Sequence, residues 1–243
     1  MKIEVVTYNL ASVRVAQQCG ATRVELCANE GAGGTSPSLA LLQIIKEQCT
    51  IPVFVMVRPR EGDFTYTDDE MNCILREIEM YKLAGADGFV CAALQRDGTV
   101  DAVNLSKMVK ASYPLPFTFH RAFDHVPDPM AAMETIIACG CQRILTSGQQ
   151  KSALDGVLLI KELIVKAGER IIILPGAGLN AENIEQLIAQ TGTQEIHLSA
   201  KKIVERDALL NSRIQLGSVT DNNSFQITDS NTLCAVVKIA TKY

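Results

Sequence analysis

The chain has 243 residues, 47% of them hydrophobic, which is enough for one large domain or two small ones with a substantial buried core. Its 23 basic and 27 acidic residues leave a formal net charge of −4, so electrostatic attraction to nucleic acid is not expected. We find no secretory signal pattern and no stretch near the ~18 uncharged apolar residues that span a bilayer, and we therefore expect a cytoplasmic protein with no membrane partner.

Eight short apolar runs typical of β-strands alternate with segments of helical periodicity. The predicted strands span residues 2–7, 22–27, 52–57, 87–92, 116–120, 142–146, 170–174 and 194–198. The predicted helices span residues 9–19, 38–48, 68–84, 100–112, 128–139, 152–167 and 180–190. The strands are apolar at nearly every position, as a strand covered on both faces must be, and such strands are usually parallel.

Three helix-to-strand connections repeat one pattern, in which a helix ends at a glycine and a strand follows within a few residues. These glycines are Gly20, Gly85 and Gly140, and each can supply the left-handed backbone that closes a helix. The repetition predicts an α/β fold, with a single-domain (β/α)8 TIM barrel over residues 1–243 favoured over a doubly wound open sheet. Residues 200–228 are less periodic and are predicted to form an extended final βα connection before a terminal helix at 229–242.

Polar side chains stand where several predicted strands end. Functional groups of TIM barrels come from these carboxyl ends and from the loops that follow them. The residues in question are Glu25, Arg58, His120, Thr146, Ser147, His197 and Ser199. We therefore expect acidic, guanidinium and imidazole groups to gather around one rim of the barrel.

His120 is the best candidate for proton transfer. An imidazole titrates near neutral pH, and the neighbouring Arg121 and Asp124 could tune its pKa in either direction. Glu25 is its predicted acid or base counterpart, and Asp124 is included in the predicted catalytic group. The alternative is a histidine at the edge of the core that is bonded to the backbone.

Two carboxylates, Glu4 and Glu25, fall in the first two predicted strands and would share the barrel interior. Buried carboxylates are costly without cations nearby, and Arg58 and Arg60 could supply them. The alternative interpretation is a structural ion network inside the barrel.

Several groups are candidates for binding an anionic ligand. Arg58 and Arg60 flank a stiffening proline and have the geometry to hold carboxylate or phosphate oxygens. Gly176 and Gly178 precede a predicted helix, whose free backbone amides could hold an anion. The remaining candidates are Arg121, Ser147, His197 and Ser199. A solvated loop would explain the arginines equally, and tight turns would explain the glycines.

Eight cysteines occur without Cys-x-x-Cys spacing. We interpret most of them as small buried hydrophobic residues in a reducing compartment.

Taken together, seven motifs resemble the CutC copper-homeostasis family. They are Glu25-Leu26-Cys27, Gly33-Gly34 through Pro37-Ser38, Arg58-Pro59-Arg60 with Gly62-Asp63-Phe64, Phe119-His120-Arg121-Ala122-Phe123-Asp124, Leu145-Thr146-Ser147-Gly148, Gly176-Ala177-Gly178 and His197-Leu198-Ser199-Ala200. The resemblance implies a cytoplasmic TIM barrel, usually a homo-oligomer, that is linked with copper tolerance and copper binding but with no established reaction. The chain departs from the family pattern at Val6, where many members have cysteine, and at Ala32, where members often have Glu.

Copper binding and enzymatic activity remain alternative hypotheses. Cuprous ion prefers thiolate and thioether ligands, which makes Cys27 the leading candidate, with a second thiol from Cys91 or from another subunit. The other hypothesis is an enzyme acting on a small anionic metabolite, phosphorylated or not, with Arg58 as the anchor and His120 and Glu25 as the acid–base pair. A scaffolding role is a third hypothesis, but it leaves the cluster of arginine and histidine unexplained.

Overall fold

Eight parallel strands close into a barrel in the computed structural model, which describes residues 1–205 and 224–243. The strands are β1 (Lys2–Thr7), β2 (Arg23–Leu26), β3 (Val53–Met56), β4 (Gly88–Cys91), β5 (Phe117–Phe119), β6 (Arg143–Thr146), β7 (Ile172–Pro175) and β8 (Glu195–Leu198). Each strand from β1 to β7 pairs with the next in sequence, and β8 returns to pair with β1. A parallel bridge between Gly176 and His197 joins the last two strands, so the TIM barrel is confirmed and the open sheet is excluded.

Helices cover the outside of the barrel in the predicted order. They are α1 (Leu10–Cys19), α2 (Leu39–Gln48), α3 (Asp68–Leu83), α4 (Ala102–Ser112), α5 (Pro129–Ala138), α6 (Val157–Ala167) and α7 (Ile184–Thr191). The last two begin four or five residues later than predicted, because side-chain turns at Ser152–Asp155 and Asn180–Asn183 occupy the segments before them. The three repeated glycines all have positive φ, as their pattern predicted. None of the helices that the structure describes is both long and apolar enough to cross a bilayer.

The end of the chain adds an element that the sequence did not predict. Strands β9 (Lys201–Glu205) and β10 (Ser224–Thr228) pair antiparallel as a separate two-stranded sheet. Helix α8 (Ser230–Ala240) follows and packs against α1. Residues 206–223 of the predicted final connection lie outside the described residues.

The cysteines are less uniform than their sequence context indicated. Cys19 at the end of α1 is disulfide-bonded to Cys234 in α8. Four others are free and buried, namely Cys27, Cys49, Cys91 and Cys141, whereas Cys73 is exposed and Cys139 is half-buried. The interpretation as buried apolar residues therefore holds for half of the cysteines, and one pair links two helices that lie far apart in the sequence.

An aromatic ring fills the barrel interior between two cations. The ring centroid of Phe54 lies 5.2 Å from the guanidinium carbon of Arg23 and 5.4 Å from that of Arg143. Gly88 on the neighbouring strand leaves room for this ring, since a Cβ at that position would stand 2.7 Å from it. The absence of a side chain at Gly88 therefore sets the position of Phe54.

We expect Gly88→Ala to destabilise the protein by about 1–3 kcal/mol, because the added methyl group must displace the ring of Phe54. Chemical denaturation measures the effect. Gly31→Ala is the matched control, because a Cβ there meets nothing within 4 Å, and it should change stability by less than about 0.5 kcal/mol. Equal effects of the two substitutions would contradict this account of the barrel interior.

Candidate active site

A cavity of about 130 Å³ opens at the carboxyl ends of the barrel strands. The residues that line it include five that the sequence singled out, namely Glu25, Arg58, His120, Arg121 and His197. Tyr8 and Phe64 also line it. The structure thus brings together one carboxyl group, two guanidinium groups and two imidazoles from the ends of four strands, β2, β3, β5 and β8.

Glu25 is a buried carboxyl group with spare hydrogen-bonding capacity. Only 3% of the residue is exposed, and its Oε1 has no hydrogen-bond partner among the described residues. Its Oε2 lies 3.7 Å from Nε2 of His197. Burial raises the pKa of Glu25 to about 7, an effect that the charge of His197 reduces and that of Glu4 reinforces. Glu25 can therefore exchange a proton near neutral pH.

His197 connects Glu25 to Glu4 on the neighbouring strand. Its Nδ1 is 2.8 Å from Oε1 of Glu4, which is fully buried. Burial alone would raise the pKa of Glu4, but the bond to His197 and the charge of Arg23 lower it to about 2. Burial alone would lower the pKa of His197, but the bond to Glu4 and the charges of Glu25 and Glu4 raise it. Glu4 is therefore the permanent carboxylate, and it favours a protonated imidazole next to Glu25.

An ion cluster below the cavity supports this arrangement. Arg23 forms an ion pair with Glu4, and its Nη2 lies 2.7 Å from Oε2 of Glu195. Nε of Arg143 donates to the same oxygen of Glu195 at 2.9 Å. The structural ion network considered from the sequence is thus present around Glu4. Its cationic partners are Arg23 and Arg143, with His197 bonded to Glu4, and not the predicted pair Arg58 and Arg60 from the loop after β3.

His120 differs from its predicted state. Burial and the charge of Arg58 lower its pKa to about 3, so its imidazole is neutral at physiological pH and does not titrate near neutrality as the sequence led us to expect. The backbone N–H of Ala122 donates to its Nδ1 at 3.1 Å, while its buried Nε2 has no partner among the residues described. His120 therefore has one ring nitrogen that is hydrogen-bonded to the backbone and one that remains available to a ligand.

Arg58 is buried, and it organises the rim through its own hydrogen bonds. Its Nη1 donates to the carbonyls of Ala32 and Gly34 at 2.8 and 3.0 Å, and its Nη2 donates to that of Gly62 at 2.7 Å. Its guanidinium also stacks 4.8 Å from the ring centroid of Phe64. These bonds hold the loops after β2 and β3 together, so the charge of Arg58 reaches the cavity while two of its three nitrogens are already in use.

Asp124 folds the loop after β6 and does not line the cavity. Its oxygens accept hydrogen bonds from Thr146 Oγ1, from the backbone and hydroxyl of Ser147, and from the backbone N–H of Gln149. Nε of Arg121 donates to it at 2.7 Å, and Nη2 of Arg121 donates to Ser147 Oγ at 2.8 Å. Asp124 and Ser147 thus position Arg121, and their predicted parts in catalysis and binding stay predictions.

The remaining anion-binding candidates lie outside the cavity lining. Arg60 is bonded to Asp63 in its own loop and to Glu70 in the first turn of α3, and Ser199 lines a separate small hollow next to β9. A Cβ at Gly176 would stand 3.3 Å from the ring of His197, and Gly178 has a φ of +71°. Since α7 begins only at residue 184, these two glycines do not open a helix as predicted, and their role in binding stays a prediction.

Cys27 is buried inside the barrel with Phe54, Met56 and Val90 as its apolar neighbours. Burial and the charges of Glu25 and Glu4 raise its pKa well above the usual range for a thiol. Cys91, the suggested second ligand, belongs to the core outside the barrel, where its Sγ lies 3.3 Å from the sulfur of Met108. Neighbouring residues on a strand point to opposite faces, so Val90 and not Cys91 shares the interior with Cys27.

A larger cavity of about 630 Å³ lies at the opposite end of the barrel, near Lys2, Ile172 and Tyr243. Its one buried charged group, Glu195, is already bonded to Arg23 and Arg143. TIM barrels carry their chemistry at the carboxyl ends of the strands. We therefore assign the candidate site to the smaller cavity, where polar atoms remain unpaired.

Sequence reasoning missed Arg23, Arg143 and Glu195, as well as Tyr8 and Phe64 in the cavity lining. The sequence did contain a signal for Arg23 and Arg143, because each of them stands three residues after a glycine of the repeated pattern. Equal spacing in a repeated unit places both at the same height in the barrel, where they flank Phe54.

Comparisons with known proteins place the chain among its relatives. It matches the model of the CutC family over residues 1–202. It is 42% identical over 244 residues to the copper homeostasis protein cutC homolog of Mus musculus, which covers 97% of this chain and 89% of that protein. It is 41% identical over 244 residues to a family protein CutC of Pasteurella multocida strain Pm70, with both chains covered completely.

Solved structures agree with the fold. The crystal structure of a CutC protein from Streptococcus agalactiae has a TM-score of 0.78 and 30% identity, covering 82% of this chain and 98% of that one. N-(5'-phosphoribosyl)anthranilate isomerase from Pyrococcus furiosus has a TM-score of 0.59 at 14% identity over the full length of both chains. At that identity the second likeness concerns the fold alone.

Proposed function

This chain belongs to the CutC family, and from the geometry of its barrel mouth we propose that it is an enzyme that transfers a proton on a small anionic metabolite. The observation that carries the proposal is Glu25, a buried carboxyl group with a pKa of about 7 and one unpaired oxygen in the lining of the cavity. A general base works best when its pKa is close to the working pH. Strongly shifted pKa values in a cleft are typical of functional sites.

The surroundings of Glu25 suit repeated proton uptake and release. The imidazole of His197, held in place by Glu4, attracts the carboxylate form of Glu25. Burial favours the protonated form. Because these two effects oppose each other, both forms of Glu25 are populated near neutral pH, and the group can take a proton from a ligand and return it.

The charges around the cavity favour an anionic ligand. Arg58 and Arg121 carry fixed positive charges in its lining, and His197 has a raised pKa. Glu25 is the one acidic side chain among the residues that line the cavity, and it is neutral for part of the time. A carboxylate or phosphate group would be attracted to this rim.

The volume of the cavity limits the size of the bound group. A cavity of about 150 Å³ is known to hold one benzene molecule. The space of about 130 Å³ therefore accommodates a group of roughly six non-hydrogen atoms, with any larger part of the ligand extending toward solvent.

Copper binding, which the names of the relatives suggest, does not fit the residues of this chain. A metal-binding thiol must be deprotonated, whereas the thiol of Cys27 is held protonated by burial and by the neighbouring carboxyl groups. Within residues 1–205 and 224–243, no group of three or more His, Cys, Asp or Glu side chains is arranged to hold a metal ion. We therefore derive no step of the function from copper.

A ligand screen by thermal shift tests the proposal. Small carboxylates and phosphates are the probes, and an anion present at 100 times its Kd should add about 2.7 kcal/mol of stability. Arg121→Gln should weaken this stabilisation, because it removes a charge from the lining. Arg60→Gln is the matched control, since Arg60 lies outside the cavity, and it should respond like the wild type. Equal stabilisation of all three proteins, or of none, would count against the proposal.

A further inference from the structure

The position of the proton on His120 is fixed by the backbone. The N–H of Ala122 donates to Nδ1 of His120 at 3.1 Å, at the start of a short 3₁₀ helix formed by Arg121–His125. A ring nitrogen that accepts a hydrogen bond carries no hydrogen, so in the neutral ring the hydrogen is on Nε2. His120 therefore enters the cavity lining as an N–H donor.

The ring remains neutral in this environment. Protonation of Nδ1 would break the bond from Ala122, and the cation would then be buried near the guanidinium of Arg58. His120 is 4% exposed, and its ring packs 4.9 Å from the centroid of Phe64 and 6.3 Å from that of Phe119. These contacts fix the orientation of the ring and exclude water from it.

Two unpaired atoms of opposite character line the same cavity. Nε2 of His120 is a buried donor without an acceptor, and Oε1 of Glu25 is a buried acceptor without a donor, among the residues that the structure describes. The two do not satisfy each other. A ligand that accepts a hydrogen bond at one atom and gives up a proton at another would satisfy both.

We propose that His120 donates its Nε2–H to a carbonyl oxygen of the substrate while Glu25 removes a proton from the carbon next to that carbonyl. The inference rests on the proposed function and specifies its substrate class, a small anionic ketone or aldehyde. The electron pair of the broken C–H bond forms a C=C bond, and the π pair of the carbonyl moves to oxygen. The resulting enolate oxygen is held by the N–H of His120, and Glu25 then returns the proton to carbon.

A neutral imidazole distinguishes this chemistry from the alternatives. Its remaining N–H is far too weak an acid to protonate a leaving group, which disfavours an elimination or a glycoside hydrolysis that depends on His120 as the acid. It can nevertheless stabilise an oxyanion, because a fixed donor in a water-excluded site is effective where negative charge develops. The redistribution of the proton requires neither oxidant nor reductant.

Solvent-deuterium exchange tests the inference. The protein is incubated in D₂O with pyruvate, 2-oxobutyrate or dihydroxyacetone phosphate, and loss of the C–H signals beside the carbonyl is followed by proton NMR. We expect the wild type to accelerate exchange in at least one of these compounds. We expect His120→Asn to reduce the catalysed rate about 10²–10³-fold, the usual cost of losing one oxyanion donor.

Two variants separate this role from a structural one. The side-chain oxygen of Asn can replace Nδ1 as the acceptor for Ala122, but Asn supplies no donor at the position of Nε2. The side-chain amide of Gln can reach the position of Nε2, so His120→Gln should retain more exchange than His120→Asn. Thermal denaturation confirms that each variant is folded, and if His120→Asn does not fold, His120→Ala, which also lacks a donor at the position of Nε2, takes its place in the comparison with His120→Gln.

The outcomes for this inference and for the proposed function are distinct. Exchange that is lost in Glu25→Gln but unchanged in both His120 variants would overturn the inference and leave the proposed function standing. The same holds if anions bind in the thermal-shift screen but no carbonyl compound exchanges. The absence of both anion binding and exchange would overturn the two together.

Discussion

Glu25→Gln is expected to lower any catalysed proton transfer by about 10²–10⁴-fold, the usual contribution of a general base. The amide has nearly the shape of the carboxyl group but cannot take up a proton. The measurement is the rate of solvent-deuterium uptake into a bound anion. Glu47→Gln is the control, because Glu47 is exposed on α2, and it should retain the wild-type rate.

The pH dependence of the wild-type rate should follow the same group. The carboxylate form of Glu25 is the active base, and its pKa in the folded protein is about 7. The rate should therefore rise with pH up to a midpoint near 7 and then level off. A rate that is constant between pH 5 and 9 would exclude Glu25 as the base.

The same substitution should alter stability in a pH-dependent way that requires no substrate. The folded protein holds the proton of Glu25 up to about pH 7, whereas the unfolded chain releases it near 4.5. Deprotonation therefore favours the unfolded chain between these values, so stability is lost as the pH rises through that interval. At about 1.36 kcal/mol per pH unit, the loss in the free energy of unfolding that has accumulated by the time the pH exceeds 7 is roughly 3 kcal/mol.

Glu25→Gln removes this loss. The variant should gain stability relative to wild type between pH 5 and 8, by roughly 3 kcal/mol at the upper end. Chemical denaturation at pH 5 and at pH 8 measures the difference. A stability gap between the two proteins that does not change with pH would show that the pKa of Glu25 is not raised.

The sequence predicted the barrel and its rim because both depend on local patterns. Runs such as 53–57 are apolar throughout, and the observed strands agree with the predicted ones to within two residues. Glu25 lies near the end of β2, and Arg58 and His120 follow β3 and β5, so closure of the barrel was sufficient to bring them to one cavity.

The chemical states of these residues depend on contacts that no local pattern encodes. His120 is neutral because burial and the charge of Arg58 oppose its protonation, and the N–H of Ala122 occupies its Nδ1. Arg58 is occupied because three carbonyls converge on it, two from the loop after β2 and one from its own loop after β3. Glu25 and Glu4 are both glutamates of the barrel interior, yet their pKa values differ because only Glu4 is bonded to both Arg23 and His197.

The ion cluster beneath the cavity leads to the second large prediction, which concerns Arg23→Met. Arg23 is 4% exposed and pairs with both Glu4 and Glu195. Methionine is of comparable length and apolar, so the substitution leaves two buried carboxylates with less compensation. Breaking a buried ion pair from one side typically costs about 3–5 kcal/mol, and we expect a loss of that size in the free energy of unfolding.

A surface pair provides the control for this prediction. Arg76 and Glu79 form an ion pair with side chains that are 75% and 60% exposed. Arg76→Met should therefore cost no more than about 1 kcal/mol. Adding Glu4→Gln to each variant completes two double-mutant cycles. We expect a coupling energy above about 1 kcal/mol in the cycle with Arg23→Met and none of that size in the cycle with Arg76→Met.

Arg23→Met should also change the site above it. The charge of Arg23 lowers the pKa values of Glu4 and of Glu25. Its removal should shift the midpoint of the pH–rate profile above the wild-type value, although Arg23 does not line the cavity. A variant that is destabilised but keeps its midpoint would show that the cluster supports the barrel without setting the basicity of Glu25. A shifted midpoint would show that the ion network also sets the pH at which the base works.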